Sequence, residues 1–196
     1  MMNSLVKGSI LILLFLLLAI PLSYAEIKEA SKYKDWEVDM LGSMILYSTH
    51  GQVVHGHRFG WLKKAGACDA DIFYLTYSSH HEDKNLLVKL TKNKMPLKVQ
   101  FPQAEGASLH LFPDIVAVNE LGSLKIVTLL RPNKEIIFDE YMSKLNLIKI
   151  EVDAPYNTLF DIPFDTWSLN GYIAAKLKAQ EMCEAMTLED TLKATV

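Results

Sequence analysis

The chain has 196 residues, half of them hydrophobic, with 20 Lys and Arg against 23 Asp and Glu and a formal net charge of −3. That balance excludes a surface built as a whole to attract nucleic acid or anionic lipid. The length fits one domain able to bury a real core.

The first residues carry a lone cation, Lys7, then an unbroken apolar run from Ile10 to Ile20, then Pro21 and the small-residue pattern Ser23-Tyr24-Ala25. This is the pattern of a secretory signal peptide over residues 1–25, cut before Glu26. The run is shorter than the ~20 apolar residues a helix needs to cross a bilayer, so no membrane span is expected after cleavage. No Cys sits at the cut, so no lipid anchor is expected either.

From Trp36 onward, short apolar or alternating segments broken by turn residues read as an antiparallel, mostly β domain over residues 26–187. The expected strands are Trp36–Leu41, Met44–Ser48, Gln52–His57, Ile72–Ser78, Leu86–Thr91, Leu97–Phe101, Ser108–Phe112, Ile115–Asn119, Leu124–Leu130, Leu147–Val152 and Leu159–Ile162. Glu120-Leu121-Gly122-Ser123 reads as a hairpin turn. Ile136–Leu145 has apolar residues at helical spacing, although Ile136-Ile137-Phe138 also suits the end of a strand. The lysines of Lys84–Lys98 read as the solvated face of a strand pair.

A C-terminal helix is expected from Leu169, with Tyr172, Ile173, Leu177, Met182 and Met186 on its apolar side and Thr166 or Ser168 as N-cap. Residues 188–196 read as a frayed, flexible tail. The fold expected is an antiparallel β-sandwich, or a barrel-like pair of sheets, with this helix packed on it.

Cys68 and Cys183 are the only cysteines, and neither has a CxxC partner. An even count in an exported chain favours a disulfide over two buried thiols, and a Cys68–Cys183 bridge would fasten the helix to the β-domain. As a nucleophile with a histidine base, Cys68 is the weaker reading for the same reason.

Histidine supplies the one suggestive cluster. If Gln52–His57 is a strand, His55 and His57 share a face at period 2, and with His50, or with His80 or His81, they make a set for zinc or copper. Asp69, Asp71, Glu82 or Asp83 would complete it. The bland alternative is a group of surface histidines near turns. Arg58-Phe59-Gly60-Trp61 reads as a loop between two strands, with Arg58, Phe59 and Trp61 as a contact surface for a protein partner. The alternative is an aromatic plug for the end of a sandwich. No GxSxG elbow, HExxH helix or phosphate-binding Gly loop is present, so no catalytic residue is assigned.

Three stretches resemble the invasion-associated locus B proteins, exported bacterial proteins with a β-rich domain. Tyr33-Lys34-Asp35-Trp36-Glu37-Val38 is similar to that family's aromatic-x-Asp-Trp-x-Val opening. Asp161-Ile162-Pro163-Phe164, through Trp167 into Ser168-Leu169-Asn170-Gly171-Tyr172-Ile173-Ala174-Ala175, is similar to its closing run. Met142–Val152 resembles the turn and strand before that ending. The chain departs from the pattern at Asp39 and Met40, where a Cys is expected, and lacks the paired central cysteines. The resemblance implies a periplasmic or surface protein linked to host-cell contact, with an envelope or host protein as partner and no named reaction.

Overall fold

The computed structural model describes residues 31–81, 95–104, 107–132 and 141–194. Its strands are β1 (Ser31–Tyr33), β2 (Trp36–Leu41), β3 (Met44–His50), β4 (Arg58–Lys64), β5 (Ala67–Ser79), β6 (Leu97–Gln100), β7 (Ser108–Leu111), β8 (Ile115–Leu121), β9 (Leu124–Pro132), β10 (Leu147–Val152) and β11 (Phe164–Ser168). A helix, α1, spans Tyr172–Ala194.

Alternation of apolar and polar side chains drives consecutive hairpins into a seven-stranded antiparallel sheet of order β1-β2-β3-β4-β5-β9-β8 and a four-stranded one of order β11-β10-β6-β7. The expected turn after Asn119 is the β8–β9 hairpin, with Leu121 opposite Leu124. The two sheets are not a closed barrel. An isolated bridge between Gly51 and Trp167 links the β3–β4 loop to β11.

One face of the large sheet presents Val38, Ile45, Tyr47, Phe59, Trp61, Phe73, Leu75, Tyr77, Val127 and Leu129, all buried. Two layers cover that face. Trp167 of the small sheet meets the rings of Phe59 and Tyr77 at 5.7 and 6.2 Å. Tyr172 of the helix meets those of Trp36 and Tyr47 at 5.2 and 6.3 Å. The helix and the small sheet therefore share the inner face between them. Aromatic rings at such spacings add pairwise attraction to the area they remove from water.

The helix seats itself through Tyr172, Ala175, Ala179 and Cys183, all buried and at helical spacing. This bears out Tyr172 on the expected apolar side, with Met182 and Met186 packed against the core, and corrects Ile173 and Leu177, which are 47% and 67% exposed. Small alanines let the helix backbone approach the sheet where leucines would hold it off. Thr166 and Ser168 are not N-caps but belong to β11, and the helix starts after Gly171. It also continues through the segment expected to be a frayed tail, as far as Ala194.

Two strand assignments also change. Gln52–His57 is a loop, and the strand begins at Arg58. Leu159–Ile162 is replaced by a 3-10 turn over Tyr156–Leu159 and a strand from Phe164. Leu86–Thr91 and Ile136–Glu140 lie outside the described residues, and a helical turn covers Tyr141–Lys144.

Candidate functional site

The β3–β4 loop folds onto the small sheet because its backbone finds hydrogen-bond partners there. Gly51 N–H donates to His57 O at 2.8 Å, Gln52 N–H to Thr166 O at 2.9 Å, and His57 N–H to Val54 O at 2.9 Å. Gly51 is required by close approach: a Cβ there would collide with the Asp165 carboxylate and the Val54 carbonyl.

Asp165 organises the loop. It sits on β11 at an inward position beside Trp167, fully buried. Its Oδ1 accepts Val53 N–H at 2.9 Å and Thr166 N–H at 2.7 Å, and its Oδ2 accepts Val54 N–H at 3.0 Å. His57 Nδ1 lies 3.0 Å from the same Oδ2. Burial works against the charged form, but the bonds from His57, Val53, Val54 and Thr166 outweigh it and lower the Asp165 pKa from its ordinary value. Asp165 is therefore an ionised acceptor, and the proton between it and His57 sits on Nδ1.

His57 is also fully buried, with the Tyr77 ring edge-on at 4.8 Å. Its Nε2 lies 3.1 Å from Ser78 Oγ. With Nδ1 turned to Asp165, Nε2 is the ring atom that faces the Ser78 hydroxyl. Burial first, then the negative charges of Asp165 and Glu151, push the Tyr77 hydroxyl well above its usual range. It stays protonated and donates to Ile150 O at 2.9 Å.

The three histidines do not converge. His50 and His55 stack at 4.3 Å between ring centroids, with His50 Nδ1 bonded to His55 O at 2.8 Å and His50 Nε2 3.5 Å from Glu37. His57 is turned inward to Asp165, because residues 52–57 are a loop and no strand face aligns it with His55. His80 pairs with Asp161 at 2.7 Å, and His81 N–H donates to Ser79 Oγ at 3.0 Å. Among the described residues no group of three or more His, Cys, Asp or Glu side chains is arranged to hold a metal ion.

Arg58, Phe59 and Trp61 likewise sit elsewhere than expected. They form β4, where alternation sends Phe59 and Trp61 into the core at 0% and 2% exposure. Arg58 lies on the opposite face, 3.0 Å from Asp39 and 3.5 Å from Glu37. An aromatic contact surface does not exist there.

Cys68 and Cys183 form a disulfide between β5 and the helix, with Cα atoms 5.7 Å apart at a sequence separation of 115. Beneath the hairpin that carries Cys68, buried Lys63 pairs with Asp71 at 2.9 Å and donates to Cys68 O at 2.8 Å. An open groove of about 400 Å³ lies beside the bridge, lined by Asp69, Gln180, Glu184 and Thr187 among others.

No family model matches the chain, and no curated protein matches it. Among solved structures the chain is similar to the crystal structure of invasion associated protein B from Bartonella henselae. The TM-score is 0.44 and the identity 12%, over 79% of this chain and 98% of that one. Likeness at that level carries no function across.

The segments that resemble the family's opening and closing runs meet in space. Trp36 Nε1 donates to Ser168 O at 2.9 Å, Ser168 Oγ donates to Asp35 at 2.6 Å, and Lys34 Nζ donates to Asn170 Oδ1 at 3.0 Å. Gly171, at φ +100°, lies so close to the Tyr33 carbonyl that a Cβ would collide with it. The sequence places Gly171 inside the helix; the structure places it just before, as the residue that lets the chain turn.

Ser78 and Asp165 carry no local motif and were absent from the residues singled out by sequence. The available signal is alternation: Asp165 shares a strand face with Trp167, which puts a carboxylate in the core and demands partners for it.

Proposed function

We propose that this is an exported accessory protein of the bacterial envelope that acts by binding a protein partner, which it engages along the edge strand β8. The leader pattern, the Cys68–Cys183 bridge and the resemblance of the opening and closing runs support export.

The observation that carries the binding reading is the state of β8. It ends the order of the large sheet, with β9 on one side and no strand on the other among the described residues. Ile115 and Leu121 are 55% and 72% exposed, with Phe112 just before the strand exposed as well. A seven-residue edge without Lys or Pro offers main-chain donors and acceptors to an incoming extended segment, and its apolar side chains offer area.

The test is a photo-crosslinking amino acid placed at Asn119 on β8 or at Gln52 on the β3–β4 loop, in cells that export the protein. A discrete adduct from Asn119, lost when Ile115 and Ala117 are both changed to Lys, supports the reading. Adducts from Gln52 alone, or from neither position, remove β8 as the docking edge.

A further inference from the structure

The Asp165–His57–Ser78 chain extends beyond the loop that Asp165 fastens. The loop is held by Asp165 through Val53 N–H and Val54 N–H and by the backbone bonds of Gly51 and Gln52. Ser78 is already fixed in the β5–β9 ladder opposite Ile126. The contact between His57 Nε2 and Ser78 Oγ gives the second nitrogen of the buried ring its partner. It also places a hydroxyl at 3.1 Å from an imidazole whose other nitrogen is fixed by a carboxylate at 3.0 Å.

Burial falls off along the same line. Asp165 and His57 are enclosed, while Ser78 is half-buried. Asp165 and His57 are shielded from water, and Ser78 is the member of the chain that is partly exposed. A nucleophile within hydrogen-bond reach of a base, with the base oriented by a third group, is the arrangement that activates serine, and it is recognised by geometry and not by position in sequence.

We infer that Ser78 is an activated nucleophile that accepts an acyl group from small activated esters, with His57 as its base and Asp165 as the positioning residue. Ser78 Oγ attacks the carbonyl carbon as its proton passes to His57 Nε2. The bond from that carbon to the alkoxy oxygen breaks, and the departing alcohol takes the proton from His57, leaving an ester on Ser78. Solvent water then attacks the acyl carbon and gives a proton to His57. Release of the carboxylic acid returns a proton to Ser78 Oγ.

This inference stands apart from docking at β8, and its test does not touch that strand. The probe is a biotinylated alkyl fluorophosphonate, applied to folded, disulfide-bonded protein at pH 8. Ser78 Oγ forms a bond to phosphorus, the phosphorus–fluorine bond breaks, fluoride leaves, and the serine proton passes through His57 to solvent. The expected result is a single adduct that peptide mapping places on Ser78. Labelling should be abolished in Ser78→Ala and slowed about 100-fold or more in His57→Gln, the usual scale of a lost general base. A purely structural His57–Ser78 bond predicts no adduct. Should His57→Gln fail to fold, mapping on the wild type still decides: no adduct after hours of exposure, or an adduct on another residue, overturns the inference.

Discussion

The indole N–H of Trp36 donates to the carbonyl oxygen of Ser168 at 2.9 Å, joining the start of the large sheet to the last residue of β11 across 132 positions. The Tyr172 ring lies 5.2 Å from the same indole. Beside them Gly171 presses on the Tyr33 carbonyl. The helix therefore leaves the small sheet at the one place where the first hairpin can receive it.

Gly171→Ala should destabilise the protein by at least about 1–3 kcal/mol, since a Cβ at positive φ is strained even before its collision with Tyr33 O. Trp36→Phe should cost about 2 kcal/mol or more, from a partly emptied core site and an unpaired Ser168 carbonyl. Midpoints of urea unfolding monitored by circular dichroism would check both. A neutral Gly171→Ala would mean that the helix start does not touch Tyr33.

Replacing both Cys68 and Cys183 by Ser should cost about 2–5 kcal/mol, the common range for a native disulfide, mainly by freeing the unfolded chain. For a domain of this size each kcal/mol lowers Tm by about 2–4 °C. Scanning calorimetry should show a fall of roughly 4–20 °C, with the folded spectrum kept at low temperature because the clasp around Trp36 remains.

Lys63→Met should be more damaging than its surroundings suggest, by about 3–5 kcal/mol, because Asp71 is left without its cation and Cys68 O without its donor. Adding Asp71→Asn to Lys63→Met should recover part of that loss. A double variant whose loss equals the sum of the losses in Lys63→Met and in Asp71→Asn would show that the two side chains are not coupled.

Asp165 sets a pH dependence whose sign follows from its lowered pKa. A carboxylate with a depressed folded pKa contributes stability that is fully present above the unfolded Asp value of about 3.9 and is lost as pH falls through the folded value. Asp165→Asn should therefore be less stable than wild type at pH 7, by about 2–3 kcal/mol for the weakened bonds to a charged acceptor. The gap should narrow below about pH 4. Urea midpoints of both proteins from pH 7 to pH 3 would show it, and a gap independent of pH would contradict an ionised Asp165.

Local pattern located the β3, β8, β9 and β10 strands because each is a short apolar or alternating run that ends at turn residues. It failed at Gln52–His57 for a physical reason: Val53 and Val54 look like strand residues, but their N–H groups bond to the side chain of Asp165, more than a hundred residues away. Once that segment was read as a strand, Arg58-Phe59-Gly60-Trp61 had to be a loop. The C-terminal helix was visible and its buried face in part: Tyr172 and Ala175 are buried and Met182 and Met186 pack against the core, while Ile173 and Leu177 face solvent. Ala179 gives almost no hydrophobic signal, although it is fully buried. The disulfide was legible from cysteine count and leader together. The short strand β1 was missed, since Ser31-Lys32-Tyr33 has too little apolar content to announce itself.

The clasp of Tyr33, Asp35 and Trp36 on Ser168, Asn170 and Gly171 also dictates when this protein can fold. Every one of those contacts joins the first described hairpin to residues near the far end, and loop closure of that length precedes any return from it. A chain emerging from its amino end can pair its first hairpin with β3 at once, but it must wait for its last helix before the clasp closes. Until then the rings of Trp36 and Tyr47 lack the Tyr172 ring that completes their cover.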